Sequence, residues 1–445
     1  MTFNLGLIIY RRNECEIFLK KSPSVLSPNS YKPGHTVAEQ FEMDKSSEPA
    51  NAHSSENYSA HSFLNQLGPL LILAAIFFLN FISRIIPAPL IPRIEMDLNL
   101  THADAGALFF MISLGYFITL IGSGFVSSRF NHKRTITISN TALGFALIGT
   151  SFCTGPWTIR LGLFTVGMAA GLYLPSGIAT VTSLIPSRHW GKALAIHDIA
   201  PNLSFVAAPL ICEALLVWFS WRMVFLLMGI VTLIMSPIFV RYSHGGEFKG
   251  EAPSLVSFRQ LFGNSSVWVI VLLFSLGVIA TLGIYTMLPL YLVTEHGMDI
   301  NAANTLIALS RIPGMIIVFV GGWATDRIGP RRMLRIVLLV TGLTTICLGI
   351  ASRSVISYIV FLQPLVAVCF FPAGFAAMSL IVPANLRNIA VSLIVPLAIV
   401  VGGGLAPVFI GFISDMGSFA IGITICGGLI TAGSIFAGLL KFYDQ

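Results

Sequence analysis

Two arginines lie inside long apolar segments, where a charged side chain needs a partner. Arg84 lies past the midpoint of the apolar segment 68–91, and Arg311 lies near mid-depth of the segment 301–324. An ionised side chain in lipid costs about 2.5 kcal/mol or more, so each is a functional candidate by default. No acidic residue lies at the same depth in the predicted segments, and a guanidinium group matches a carboxylate or phosphate in shape and charge. The two arginines therefore predict a site for a visiting anion.

Each arginine also has a structural interpretation. Arg84 can extend its head group to the membrane surface, and Arg311 can bond carbonyl groups at a kink near Pro313. Asn80, one turn before Arg84, is a further candidate for contact with the substrate. The pair His197–Asp198 is the candidate for proton coupling, because imidazole changes its charge near neutral pH. A structural role at the start of a helix is the alternative for this pair.

The composition excludes a soluble protein. Of 445 residues, 55% are apolar and 10% are charged, whereas a soluble domain carries roughly 25% charged residues. The net charge of +7 resides in short loops between apolar segments, which indicates membrane orientation and not nucleic-acid binding. The six cysteines lack metal-ligand spacing, and no phosphate-binding loop is present. We therefore expect neither a cofactor nor an enzyme.

The apolar segments predict an all-α integral membrane protein with twelve transmembrane helices. About 20 apolar residues cross the hydrocarbon layer as a helix. The predicted spans are 68–91, 104–126, 135–154, 157–183, 191–218, 222–241, 266–293, 301–324, 333–352, 355–382, 388–414 and 419–440.

The longest gap between these segments divides the chain. Residues 242–265 predict a cytoplasmic linker between a six-helix bundle at 66–241 and a second one at 266–441. Residues 1–65 predict a disordered polar tail, since their composition is too polar for a core. Translation from Met43 is an alternative that would shorten this tail.

The cations predict the orientation in the membrane. With the N-terminus inside, the inner loops and the C-terminal tail hold fourteen Lys and Arg, and the outer loops hold four. Positively charged loops remain cytoplasmic. Both termini are therefore expected in the cytoplasm, with the protein in the plasma (inner) membrane.

Two loops with glycines and arginines form an internal repeat. The second is formed by Gly322, Asp326, Arg327, Gly329, Arg331 and Arg332. The first, 198 residues earlier, contains Gly124, Ser128, Arg129, Lys133 and Arg134. The dipeptides 208–209 and 406–407, both Ala-Pro, recur at the same offset. Two six-helix halves in parallel repeat are what a rocking transporter requires, with its substrate site between the halves.

The pattern G-x-x-x-D-R-x-G-x-R-R of the second loop resembles the signature loop of the major facilitator superfamily of secondary transporters. The resemblance implies two pseudo-symmetric six-helix bundles and alternating access. It also implies a gating latch between Asp326 and the start of the fifth helix, near residues 187–191. Ser128 replaces the carboxylate in the first loop, so we expect unequal latches with the Asp326 side stronger. A loop that only sets orientation is the alternative.

The first predicted helix resembles that of organophosphate and organic-anion members of the superfamily, in which an arginine binds the anion. The resemblance implies that Tyr173, Tyr285 and Gln363 lie in helices that line the cavity, with ordinary packing as their alternative. No arginine is present in the seventh helix for a second anion contact, so Arg311 would have to serve.

The predicted function is transport of a small organic anion by proton symport or anion exchange. The expected partners are this anion and the lipid bilayer, with no nucleic acid, and we expect a monomer. A proton-coupled exporter of amphipathic compounds is one alternative, although the fifth segment lacks the glycine-rich pattern of drug exporters. A membrane sensor that does not transport is the remote alternative.

Overall fold

The computed structural model describes residues 66–250, 261, 263–383 and 386–442. These residues belong to a single compact unit. The predictions for the tail 1–65, for Met43 and for most of the second part of the linker lie outside the described residues. The described part of the chain is helical and contains no strand, as the sequence predicts.

Twelve helices, α1 to α12, correspond to the twelve predicted spans. Most of them extend beyond the apolar segment, because polar residues complete a helix at the membrane surface. Their bounds are Leu67–Leu98, His102–Phe130, His132–Ser151, Pro156–Leu184, Ser187–Leu216, Trp221–Tyr242, Ser265–Thr294, Ile300–Ile328, Pro330–Ile350, Ile356–Ile381, Ile389–Asp415 and Phe419–Leu439.

Eleven of these helices are long and apolar enough to cross a membrane, and α3 falls outside that group. Helix α3 carries polar side chains that bond neighbouring helices. Ser139 Oγ donates to Ala169 O at 2.6 Å, and Asn140 Nδ2 donates to Thr232 O at 2.7 Å. Since these groups are buried and paired within the bundle, α3 needs less apolar surface than its neighbours.

Several helices are interrupted in the middle. Helix α1 breaks at Ile86, before Pro87, and α8 breaks between Arg311 and Gly314, around Pro313. Proline removes an amide donor and clashes with the preceding turn, which accounts for both breaks. Helices α7 and α11 contain π-helical stretches at Ile279–Gly283 and Ile399–Leu405. Each arginine of interest therefore lies in the last turn before a break.

The internal repeat extends to the helix boundaries. Leu67, His102, His132 and Trp221 begin α1, α2, α3 and α6, and helices begin 198 residues later at Ser265, Ile300, Pro330 and Phe419. The spacing of four separate helices is therefore duplicated. The chain forms two six-helix halves in the same order, in agreement with the prediction from the loop motifs.

The two loops of the repeat are tight turns. Asn131 and Gly329 adopt φ values of 73° and 86°, and glycine and asparagine are the residues that most readily take a positive φ. The segment that follows the last helix of each half bonds the loop of that half. Lys133 N donates to Gly246 O at 2.7 Å, and Arg331 Nη2 donates to Leu440 O. We call the end of the protein that carries residues 127–133 and 326–332 the hairpin end, and the opposite end, with residues 98–104 and 415–419, the distal end.

The two halves pack closely at the distal end, through α2 and α11. A Cβ atom added to Gly106 would lie 2.3 Å from Pro407 O, and one added to Gly411 would lie 2.1 Å from His102 O. Glycine is required at both positions because the two backbones touch. This part of the interface is therefore closed in the structure.

Candidate functional site

Arg84 lies between two aromatic rings and lacks an acidic partner. Its side chain is 8% exposed, and its guanidinium carbon lies 4.7 Å from the ring centre of Phe81 and 4.2 Å from that of Tyr116. Among the described residues it forms no hydrogen bond or ion pair, and its Nε atom is buried without a partner. Aromatic faces attract the cation without consuming its donors. The guanidinium group therefore keeps its hydrogen-bonding capacity for a ligand.

A small cavity adjoins Arg84 between the two halves. Its polar lining groups besides Arg84 are Ser113, Tyr116 and Thr286, and the rest of the lining is apolar. The cavity lies where α1 and α2 face α7 and α11. The lining combines one unpaired cation and a few hydroxyl groups with apolar side chains, which is the chemistry of an anion-binding site. In this conformation the cavity volume of about 20 Å³ corresponds to roughly one water molecule.

Arg311 has a similar aromatic environment on the other side of the interface. Its guanidinium carbon lies 5.0 Å from the ring centre of Phe205 and 4.9 Å from that of Tyr285. Its Nη2 donates to Thr281 O of the π-helical stretch at 3.4 Å, while its Nε is buried and unpaired. Arg311 is thus partly engaged with a kinked backbone, as one of the two interpretations of the sequence predicts.

An aromatic pair separates the two arginines. Phe81 and Phe205 lie edge to face with ring centres 5.4 Å apart, and each ring also contacts one arginine. The structure therefore brings Arg84 and Arg311 to opposite sides of one aromatic contact between α1 and α5. Only Arg84 lines the cavity.

Asn80 and Gln363, two of the predicted substrate contacts, bond the backbone of other helices. Asn80 Nδ2 donates to Ala170 O at 3.0 Å, beside an interruption of α4 at Leu172. Gln363 Nε2 donates to Ala280 O at 2.8 Å, in the π-helical stretch of α7. Both side chains are buried, and neither lines the cavity beside Arg84. The geometry favours a structural role for both.

The predicted proton-coupling pair is connected to Tyr173, and these residues also lie away from the cavity. His197 is fully buried, and its Nδ1 lies 3.1 Å from Asp198 Oδ1. Its Nε2 lies 3.1 Å from the hydroxyl of Tyr173, which donates to Leu73 O at 2.8 Å. Tyr285 contacts Arg311, and its hydroxyl donates to Phe205 O at 3.5 Å.

In the second loop of the repeat, the carboxylate of Asp326 has no partner among the described residues. Asp326 is exposed and bonds no described residue, whether a nearby arginine or the start of α5. Arg327 lies over the ring of Trp323 at 4.9 Å, and Arg332 is exposed. A Cβ atom on Gly322 would lie 4.0 Å from Pro372, whereas one on Gly321 would lie 3.0 Å from Cys369. The close approach to the neighbouring helix in this conformation is therefore at Gly321 and not at Gly322, the glycine of the motif.

The first loop of the repeat has Ser128 where the second loop has Asp326, and this serine bonds its own helix. Ser128 Oγ donates to Phe125 O of its own helix at 2.9 Å, and Arg129 lies 6.0 Å from the ring centre of Phe130. Gly124 is partly buried near the end of α2. Neither loop contacts the opposite half through a hydrogen bond among the described residues.

The distal end contains the polar contacts that sequence analysis did not identify. Both oxygens of Asp415 accept backbone amide bonds at the start of α2 in the other half, from His102 and Ala103 at 2.9 Å each. Asn304 Nδ2 donates to Glu213 Oε1 at 2.6 Å, also across the interface. A carboxylate is stabilised at the N-terminus of a helix by free amides and the helix dipole. No local sequence motif identifies Asp415 as a contact residue, so its contact is visible only in the tertiary structure.

The described residues form twelve helices in two repeated halves, and the halves are closed at one end. An unpaired arginine lies in a cavity between the halves. This is the architecture of a secondary transporter. Residues 73–362 match the family model described as Major Facilitator Superfamily. The chain belongs to this family, which confirms the resemblance of the loop motif, and it is an integral membrane transporter.

Relatives and solved structures agree with this assignment. The chain is 22% identical to a probable sulfoacetate transporter of Cupriavidus necator over 82% of this chain and 91% of the relative. It is 22% identical to a probable L-galactonate transporter of Escherichia coli over 82% and 86%. A bacterial homologue of the human lysosomal transporter Spinster, in an inward-facing and unoccupied conformation, superposes with a TM-score of 0.70 at 17% identity, covering 84% of this chain and 94% of that chain.

Proposed function

We propose that the protein transports a small organic anion by alternating access, with Arg84 as the anion-binding residue. The observation that carries this proposal is the unpaired guanidinium group of Arg84 in the cavity between the halves. A buried cation without a counter-ion is costly, and an anion that enters the cavity supplies that counter-ion. The guanidinium group lies against the rings of Phe81 and Tyr116. Because these contacts use none of its N–H donors, the donors remain for a carboxylate or phosphate.

The names of the relatives support the same class of substrate. Sulfoacetate and galactonate, which two relatives are named for, are small carboxylates. The hydroxyl groups of Ser113, Tyr116 and Thr286 around the cavity could bond further oxygens of such a molecule. Arg311 contributes positive potential from the far side of Phe205.

The basic hairpin end is proposed to face the cytoplasm of a plasma (inner) membrane, with the chain acting as a monomer. Under this orientation the closed distal end is the outer end. Asp326 would then be released in this state and engaged in the opposite one. Transport is driven by proton symport or anion exchange, for which His197 and Asp198 are the titratable candidates.

A binding and transport experiment tests the proposal. Purified protein is screened by thermal shift against galactonate, sulfoacetate, benzoate and glycerol phosphate, and the best anion is then assayed in proteoliposomes. Arg84→Gln is expected to abolish the thermal shift and lower uptake at least ten-fold, and Arg84→Lys to retain part of both, since lysine keeps the charge without the fork.

Arg160→Gln is the matched control. Arg160 pairs with Asp104 at the distal end and lies over Trp157, far from the cavity lining. Its loss should leave the anion-induced shift in place. Unchanged anion binding in Arg84→Gln, or stabilisation of the wild type by amphipathic cations and by none of the four anions, would contradict the proposal.

A further inference from the structure

Both ring nitrogens of His197 have a polar partner in this conformation. The Tyr173 hydroxyl has one proton, and the carbonyl of Leu73, 2.8 Å away, can only accept it. The same hydroxyl lies 3.1 Å from His197 Nε2 and can then only accept a proton from this nitrogen. On the other side of the ring, Nδ1 lies 3.1 Å from a carboxylate oxygen of Asp198, which also accepts.

The three contacts are satisfied together when Nε2 donates to the Tyr173 hydroxyl and one further proton lies between Nδ1 and the Asp198 carboxylate. A neutral ring has one donor nitrogen and one acceptor nitrogen. Without that further proton, a lone pair of the ring faces either the buried Tyr173 hydroxyl or the Asp198 carboxylate. A proton shared between His197 and Asp198 removes this conflict. The site therefore holds one exchangeable proton.

The surroundings of His197 contain few competing charges. Helix α1 contributes the Leu73 carbonyl and the ring of Phe77, which stacks on the imidazole at 4.3 Å. Helix α4 contributes the uncharged Tyr173, and α5 itself contributes Asp198. Among the described residues, Asp198 is thus the one charged group in contact with the ring.

The proton has a route to solvent. The Asp198 side chain is 67% exposed while His197 is fully buried. Asp198 precedes Phe205 by seven residues, or about two helical turns, so both lie on the same face of α5. Phe205 lies under Arg311 at the interface of the halves. Asp198 therefore faces the space between the halves, on the hairpin side of the two arginines.

A line of contacting rings connects the proton site to the anion site. The imidazole of His197 stacks on Phe77, Phe77 contacts Phe81 at 6.4 Å, and Phe81 lies under Arg84 at 4.7 Å. Both phenylalanines belong to α1, one turn apart. A change in the position of the imidazole ring therefore displaces the same helix that positions Arg84.

We propose that the His197–Asp198 pair, fixed by the Tyr173 hydroxyl, carries the coupling proton of a one-proton, one-anion symport. This proposal rests on the proposed anion transport and names its coupling site. In the release step the Nδ1–H bond breaks, the proton passes through the Asp198 carboxylate to water at the hairpin end, and a neutral imidazole remains. Nε2 keeps its proton and its bond to Tyr173, while the Nδ1 lone pair then faces the carboxylate and the pair separates. Tyr173 is thus a positioning residue and not a substrate contact.

The first test measures protonation and needs no substrate. The ¹⁵N spectrum of histidine-labelled protein at pH 7 is compared with that of His197→Gln, which identifies the His197 signals. The wild type is expected to show a doubly protonated His197 ring, and Asp198→Asn a neutral one. Tyr173→Phe removes the acceptor at Nε2 and is expected to increase the neutral fraction. A neutral His197 in the wild type overturns the proposal, whatever the protein transports.

The second test separates coupling from transport. Proteoliposomes loaded with galactonate report exchange, and empty ones with an imposed pH gradient report proton-driven uptake of labelled galactonate. We expect His197→Gln to retain exchange within about two-fold and to lose at least ten-fold in gradient-driven uptake. His132→Gln is the control, because His132 is also buried and bonds a hydroxyl, that of Ser176 at 3.1 Å, without a carboxylate.

The outcomes distinguish the two proposals. Gradient-driven uptake that persists in His197→Gln overturns the coupling site and leaves anion transport standing. If the wild type transports and exchanges none of the four anions, the proposed function is contradicted, and the ¹⁵N comparison then still decides the protonation of His197. Equal loss of uptake in His132→Gln and His197→Gln would show a general effect of removing a buried histidine and would also overturn the coupling site.

Discussion

Asp415, at the end of α11, binds the backbone amide of His102, at the start of α2, at 2.9 Å across the interface of the two halves. Its second oxygen accepts from Ala103 at the same distance. The contact pairs a carboxylate with a helix N-terminus. This is the chemistry that the family resemblance implies for Asp326 at the other end of the protein. In this conformation Asp415 is engaged and Asp326 is free, so the two carboxylates are suited to stabilise opposite states.

The first prediction concerns Asp415→Asn. An amide lacks the charge and one of the two acceptors, and hydrogen bonds to a charged group contribute about 1.5–3 kcal/mol each. We expect the closed distal end to lose at least ten-fold in population, since about 1.4 kcal/mol corresponds to a factor of ten. Spin labels at the exposed positions 96 and 416, in a variant without native cysteines, report the opening as a longer distance.

Glu295→Gln provides the control for Asp415→Asn. The Glu295 carboxylate accepts from the amides of Phe419 and Ala420 at the start of α12, within the same half. It has the same chemistry without bridging the halves. Its loss should lower stability and leave the distance between the labels unchanged, and equal opening in both variants would refute the role of Asp415.

The second prediction uses two glycines of α2. A Cβ on Gly106 would lie 2.3 Å from Pro407 O, whereas a Cβ on Gly122 would meet no atom within 4 Å. Gly106→Ala must therefore separate α2 from α11, and Gly122→Ala should be tolerated with a small gain in helix propensity. The same spin labels should report a longer distance for Gly106→Ala only. An unchanged distance in Gly106→Ala would show that this contact does not maintain closure.

The sequence predicts the positions of the helices because hydropathy and the 198-residue repeat are local or periodic signals. It also predicts the positive φ of Asn131 and Gly329, since few residues suit such a turn. It does not predict which helix faces which. Phe81, three residues before Arg84, could have been identified from helical spacing. Tyr116 and Phe205 come from other helices, and their contacts depend on helix rotations that an almost uniformly apolar sequence does not determine.

The contact of Asp415 is a second example of an inter-helix contact that the sequence does not predict. In the sequence it is one acidic residue at the end of an apolar segment, and loop residues of this kind are usually solvated. Its partners are backbone amides, which carry no residue-type signal at all. The outcome differs for α3, whose modest hydropathy is explained by the bonds of Ser139 and Asn140 to neighbouring helices.

The third prediction compares the two loops of the repeat. Asp326 is exposed and unbonded in this conformation, so Asp326→Asn should leave the thermal stability of the purified protein unchanged. If it engages the start of α5 in the opposite state, the variant should lower the rate of transport several-fold. Ser128→Ala removes only a bond within its own helix and should transport like the wild type. Equal transport by the two variants would refute the asymmetry.

The last prediction separates structure from substrate binding at Gln363. Its amide Nε2 donates to Ala280 O at 2.8 Å, in the π-helical stretch of α7, and to Thr345 Oγ1 at 3.2 Å. Gln363→Met preserves the volume and removes the donor, which at a buried site costs about 1–3 kcal/mol. We expect a lower thermal midpoint for the free protein and an unchanged anion-induced shift. Asn301→Ala, at an exposed position of α8, should change neither. A normal midpoint with a lost anion shift would instead make Gln363 a substrate contact.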